Sequence, residues 1–217
     1  MLRFRKEGVF HILISGLIVL FLFLLGIKYS SILFYFFGII FLFLSCFIAY
    51  FFRDPDRTPD SDSDDTYISP ADGEILVSEI YNEDVYFKKP MLKISIFMSV
   101  LSVHVNRSPV EGKVKKITYQ PGLFLPAFKD ITSIKNERID FLISGKVHDT
   151  RVSLISGILA RRIVPFVQTN HNLFRGERLG MIKFGSRVDC YLSTDYISAV
   201  KPGDKVFAGK SVIASLK

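Results

Sequence analysis

Residues 9–27 and 32–52 are two runs without a single Asp, Glu, Lys or Arg. Roughly twenty apolar residues at about 1.5 Å each carry a helix across the hydrocarbon of a bilayer. Two such runs in close succession leave a membrane hairpin as the main option. A secretory signal fits less well: Arg3, Arg5 and Lys6 give a basic start, but the apolar run is longer than the usual span of about 7–15 residues, no A-x-A-like site follows, and a second run begins almost at once. The connecting turn holds one cation, Lys28, whereas the flanks hold Arg3, Arg5 and Lys6 on one side and Arg53 and Arg57 on the other. Both ends of the hairpin, and the rest of the chain, are therefore expected on the cytoplasmic side of the inner membrane. His11, near the head of the first run, is read as an interfacial residue.

The composition changes beyond residue 52. Residues 53–65 hold two prolines and a series of aspartates, a pattern that disfavours both helix and strand and marks a linker. The expected organisation is a hairpin anchor over 1–52, the linker over 53–65 and one folded domain over 66–217. That domain reads as short strands such as 93–98, 113–119, 138–143, 151–155 and 188–192, rich in β-branched and aromatic residues. Turn pairs separate them, among them Asp72-Gly73, Glu111-Gly112 and Ser144-Gly145. The best helical candidate is 156–166, weakened by Gly157 and Pro165. The C-terminal Pro202-Gly203-Asp204-Lys205-Val206 is similar to the hairpin of biotinyl/lipoyl barrel-sandwich modules, with Asp72-Gly73-Glu74-Ile75 as its matching edge. The fold class is thus a mostly β (α+β) domain with a lipoyl-like element, behind a two-helix transmembrane hairpin; no exposed Lys tip suggests a carried cofactor.

The net charge of +7 carries no recognisable nucleic-acid motif and, beside an anchor, favours an anionic lipid surface. Cys46 and Cys190 lie far apart without metal-ligand spacing, which argues against a disulfide and for a reduced compartment. Phosphate-binding loops, H-E-x-x-H and C-x-x-C are absent, and Ser186 is not framed as G-x-S-x-G. No metal is expected.

Gly185-Ser186 interrupts an otherwise ordinary strand, and glycine inside a strand marks a bulge or a close backbone approach. His104 ends an apolar run, which fits either a core histidine or a working one. With Asp72 and Ser186 it could complete a Ser-His-Asp set, the hydroxyl activated by the imidazole and the imidazole oriented by the carboxylate. Spacing alone does not bring the three together.

Five motifs in one order narrow these alternatives: Phe52-Arg53-Asp54-Pro55 with Arg57 and Pro59; Ser69-Pro70-Ala71-Asp72-Gly73; Val103-His104-Val105-Asn106-Arg107-Ser108-Pro109 with Gly112; Asn136-Glu137-Arg138; and Phe184-Gly185-Ser186. From about residue 50 to 216 the chain resembles the phosphatidylserine decarboxylase proenzyme family in its short membrane-associated form. The resemblance implies that the chain cuts itself between Gly185 and Ser186 into a β chain (1–185) and an α chain (186–217), and that Ser186 becomes an N-terminal pyruvoyl group. It further implies that this group forms a Schiff base with phosphatidylserine, and that loss of CO₂ yields phosphatidylethanolamine. His104 is the expected base and acid, Asp72 its orienting partner, and Arg107 a candidate for the lipid phosphate or carboxylate, or else a structural ion pair. The partners implied are the lipid substrate, the bilayer and the two chains of one precursor; homo-oligomerisation is left open. Phe184 and Arg187 flank the pair where many members have Leu-Gly-Ser-Thr. The competing readings are a membrane-anchored lipoyl-like binding module without activity, in which Gly185-Ser186 is only a bulge, and an intact-chain hydrolase using Ser186.

Overall fold

Both apolar runs fold as helices, α1 (Lys6–Tyr29) and α2 (Ile32–Phe51), each long and apolar enough by length and composition to cross a membrane. The computed structural model describes residues 2–128, 132–158, 162–182 and 185–217. The chain divides into two units, Met1–Asp56 and Arg57–Lys217. In the first, α1 ends where Ser30 turns left-handed at φ 48° and its N–H reaches Gly26 O, which reverses the chain. Small residues let the helices approach: Ser15 Oγ lies 2.9 Å from Ser45 Oγ, and a Cβ on Gly26 would come within 2.9 Å of the Tyr35 ring. Most of the apolar surface of both helices is exposed, which suits a membrane-facing hairpin. His11 stacks on Phe52 at 5.7 Å.

A short strand, β1 (Leu2–Phe4), pairs antiparallel with β2 (Arg53–Pro55). Residues 53–55 are thus extended where proline and charge predict an irregular chain. Pro55 sits last in the strand, where a missing N–H costs least.

The second unit contains β3 (Thr66–Ile68), β4 (Gly73–Glu83), β5 (Lys89–Met98), β6 (Val105–Arg107), β7 (Gly112–Gln120), α3 (Thr132–Lys135), β8 (Arg138–Gly145) and β9 (Asp149–Ser156). It continues with β10 (Ile163–Pro165), β11 (Asn172–Leu173), β12 (Arg178–Ile182), β13 (Ser186–Leu192), β14 (Tyr196–Ser198), β15 (Lys205–Val206) and β16 (Val212–Leu216). Among the described residues these strands form an eight-stranded sheet in the order β11-β7-β8-β9-β13-β5-β4-β15 and two three-stranded sheets, β10-β12-β6 and β14-β16-β3. The mostly β expectation holds. The helix expected over 156–166 does not form: Ser156 closes β9 and Ile163–Pro165 is a strand, while residues 159–161 lie outside the described residues. Gly157 and Pro165 remove the helix propensity there, and Ile163 and Val164 favour the pleated backbone.

The lipoyl-like edge forms as expected, with Lys205 opposite Glu74 and Val206 opposite Gly73. Its turn is tied by Ile75 N to Asp204 O, Gly203 N to Ile75 O, and Lys201 N to the Asp204 carboxylate, all at 2.9 Å.

β13 lies between β9 and β5 and is buried along its whole length. Val188, Cys190 and Leu192 enter the core with Ile94, Ile96, Val152 and Leu154. The alternate residues Arg187, Asp189 and Tyr191 take the opposite face. The buried charges there are paired, as burial demands: Arg187 Nε donates to Asp189 at 2.6 Å and Nη2 to Ser95 Oγ at 2.8 Å, while Lys93 Nζ stands 3.6 Å from Asp189. Burial lowers the Lys93 ammonium below its ordinary pKa, and the Asp189 charge opposes that shift. On β9, Arg151 pairs with Glu83, whose carboxylate also accepts the N–H groups of Val85, Tyr86 and Phe87.

Candidate active site

Three strand ends meet in one row. Ser186, the first residue of β13, is the register partner of Met98, the last of β5, and of Ser156, the last of β9. The serine is 0% exposed and its Oγ lies 3.4 Å from Met98 Sδ; Asn106 Nδ2 reaches the same sulfur at 3.4 Å. Gly185, immediately before the strand, has φ +55°. Among the described residues a Cβ there would meet nothing within 4 Å, and the left-handed backbone is what calls for glycine. The Gly185–Ser186 peptide therefore joins a bend to a strand that is paired on both sides. Phe184, the first residue of the motif, lies outside the described residues.

His104 reaches this region through β6 and β12. Val105 is the register partner of Met181, and Ile182 N donates to His104 O at 3.4 Å, which sets the histidine beside the end of β12. The ring is fully buried, with Nδ1 2.9 Å from Ser102 O. A carbonyl only accepts, so Nδ1 carries the proton, and in the neutral ring Nε2 carries the lone pair.

Asp72 comes in on the adjoining segment, since Arg107 N donates to Pro70 O at 2.9 Å. Its carboxylate accepts from Ala208 N at 2.7 Å on one oxygen and from Arg57 Nη2 at 3.0 Å on the other. The role expected of Asp72, to orient the His104 ring, stays a proposal beside these bonds. Arg107 is buried and donates from Nη1 to Gly176 O at 3.0 Å, and its stem packs so closely on Gly209 that a Cβ there would lie 2.6 Å from Arg107 Cδ. Among the described residues no group of three or more His, Cys, Asp or Glu side chains is arranged to hold a metal.

Two residues near the Gly185-Ser186 pair carry no role in the sequence reading. Asn136 bonds both to the 125 backbone and to Ser156 O. Gly157 faces the Gly185 carbonyl. Asn136 had a signal, a polar residue placed just before a strand in a recurrent motif. Gly157 reads only as a helix-weakening residue until the sheet register is known.

The sequence profile of the family described as Phosphatidylserine decarboxylase matches residues 44–214. A phosphatidylserine decarboxylase proenzyme of Carboxydothermus hydrogenoformans is 44% identical over 83% of this chain and 84% of its own. A protein of Methanosarcina mazei provisionally named archaetidylserine decarboxylase proenzyme is 45% identical over 80% of this chain and 77% of its own. A phosphatidylserine decarboxylase proenzyme of Pelagibacter ubique is 41% identical over 98% of this chain and 96% of its own, a match that takes in nearly all of the N-terminal helices.

Proposed function

The chain belongs to the phosphatidylserine decarboxylase family, and we propose that it is a self-processing, pyruvoyl-dependent enzyme that converts phosphatidylserine to phosphatidylethanolamine and CO₂. The observation that carries this reading is the placement of the Gly185–Ser186 bond: a positive-φ glycine carbonyl immediately before a buried serine that begins an internal strand. A bulge needs no such serine, and the relatives' names describe a decarboxylase in place of an inactive binding module.

Processing follows from the groups present. Ser186 Oγ attacks the Gly185 carbonyl carbon; the C–N bond breaks and the nitrogen takes up the hydroxyl proton, leaving an ester. A base removes the Ser186 Cα proton and the ester C–O bond breaks, releasing the Gly185 carboxylate. The dehydroalanine left behind takes up water and loses ammonia to give the keto group. His104 Nε2 is assigned as the base, its tautomer held by the Ser102 carbonyl. Asp72 is assigned to support it from the neighbouring segment, and Ser186 burial keeps bulk water from the ester.

The site fits a pyruvoyl group at position 186: the residue that would carry it is fully buried and begins an internal strand, away from bulk water. That group supplies a carbonyl electron sink for the amine of the substrate. His104 is then positioned to return a proton to the carbon that has lost CO₂. Both substrates named among the relatives carry a seryl head group, the part on which this chemistry acts. The apolar helices hold the enzyme where such a lipid resides, and the basic flanks assign the catalytic unit to the cytoplasmic side of the inner membrane.

The test is Ser186→Ala. The wild type is expected as two chains, the smaller blocked by a keto group, and the variant as one chain of 24.7 kDa. A small fragment from the variant, or active wild type with an intact Ser186, overturns the proposal. Release of CO₂ from carboxyl-labelled phosphatidylserine checks the second reaction.

A further inference from the structure

We propose that Gly157 is a positioning residue for self-cleavage: its absent side chain makes the space in which the Gly185 carbonyl is held, and Asn136 fixes the strand end that provides this space. The inference rests on the processing reading above and adds residues to it. Ser156 and Ser186 are register partners in an antiparallel ladder, so the next step of the ladder sets Gly157 opposite Gly185. A Cβ built on Gly157 would lie 2.3 Å from Gly185 O, 3.1 Å from Gly185 C and 3.2 Å from Ala127 Cβ. Gly157 has no positive φ among those recorded, and Gly185 has no neighbour within 4 Å of its own Cβ position. The two glycines are therefore required for different reasons, one for its backbone conformation and the other for the room it leaves.

Gly157 is held firmly. The Asn136 side chain, 1% exposed, accepts from Leu125 N at 3.0 Å and donates to Leu125 O at 2.9 Å and Ser156 O at 2.7 Å. Ser156 N and Oγ both donate to Glu137 O, at 2.9 and 3.0 Å. Leu125 and the end of β9 are thereby fixed to each other, and the Gly185 carbonyl lies against Gly157 at that end. In the acyl shift a new bond forms between Ser186 Oγ and Gly185 C while the C–N bond breaks and the hydroxyl proton passes to nitrogen. Its rate depends on how the carbonyl is presented to the hydroxyl. A methyl group at 2.3 Å from the oxygen must be relieved to an ordinary contact near 3.4 Å, and because the atom it meets is backbone, the carbonyl itself has to move. A misplacement of about 1 Å at a reacting centre costs about 100-fold in rate.

The experiment compares cleavage of full-length wild type, Gly157→Ala and Asn136→Ala in membranes or detergent, with and without hydroxylamine, which cuts an ester but not a peptide. Gly157→Ala is expected to accumulate uncut chain, cleaving about 100-fold more slowly, with no acceleration by hydroxylamine because the ester is not reached. Asn136→Ala is expected to cleave about 10-fold more slowly, in the same hydroxylamine-insensitive way. Melting temperatures are read in the uncleavable Ser186→Ala background, and if Gly157→Ala proves unfolded there, the Asn136→Ala result decides. Wild-type cleavage rates in the folded variants overturn the inference, as does hydroxylamine-sensitive chain, which would locate the defect in elimination. Failure of the wild type itself to cleave at position 185 would instead remove the reading on which the inference rests.

Discussion

Asp72 and Ala208 are 136 residues apart in the chain and 2.7 Å apart in space, the N–H of Ala208 donating to the Asp72 carboxylate. The bond spans the proposed cut, with its acceptor before Gly185 and its donor after Ser186. Arg57 holds the other carboxylate oxygen at 3.0 Å. Asp72→Ala leaves a buried N–H without its acceptor and is expected to cost about 1–3 kcal/mol, a fall of several degrees in melting temperature. Asp72→Asn keeps an oxygen for Ala208 and is expected to recover most of that stability without recovering cleavage. Recovery of both would reduce Asp72 to a structural clamp.

His104 is assigned to both reactions. Its replacement by Ala is expected to slow cleavage by about 10²–10⁴-fold, followed by gel over hours to days, with melting temperature measured beside it. A variant that cleaves at the normal rate yet releases no CO₂ would confine the imidazole to decarboxylation.

Arg107 offers a choice that two measurements decide. Its stem packs on Gly209 and its guanidinium bonds Gly176 O, so Arg107→Met keeps much of the packing and loses the polar clamp. A loss of about 1–3 kcal/mol is expected, with KM for the lipid little changed. A large rise in KM at unchanged melting temperature would assign the guanidinium to the substrate.

Cys190 supplies a pH dependence. Burial pushes its thiol from 9.0 up to about 12. Between these values the unfolded chain releases a proton that the folded chain retains, so this group makes stability fall as pH rises through that window and contributes nothing below it. At pH 8 the native thiol is expected to resist a disulfide reagent that labels it at once in denaturant. Cys46 is exposed, so the measurement uses Cys46→Ser, and rapid labelling of that variant in its folded state would contradict the burial of Cys190.

The sequence made the anchor legible because twenty-residue apolar runs have few alternatives, and the edge between Asp72-Gly73 and Lys205-Val206 because its turn residues are distinctive. The Gly185-Ser186 pair was equally visible. What was hidden is whatever depends on register. Gly157 looked like a flaw in a helix because no local pattern reveals that it faces residue 185. The bonds from Asp72 to Ala208 and from Arg107 to Gly176 join distant segments, and nothing in the spacing of either residue signals its partner. The burial of Arg187 and Asp189 was hidden as well, since it rests on charges that satisfy each other together with Ser95 and Lys93 across neighbouring strands.

The internal place of β13, with β9 along one side and β5 along the other, dictates an order of assembly. Under the proposed processing, the segment from Ser186 onward enters the middle of the sheet as part of an unbroken polypeptide. A cut before Ser186 would leave the pairing of β13 with β5 and β9 in place, so the two proposed products would hold together without a covalent tether. Halves synthesised apart would each lack the strands that the other supplies.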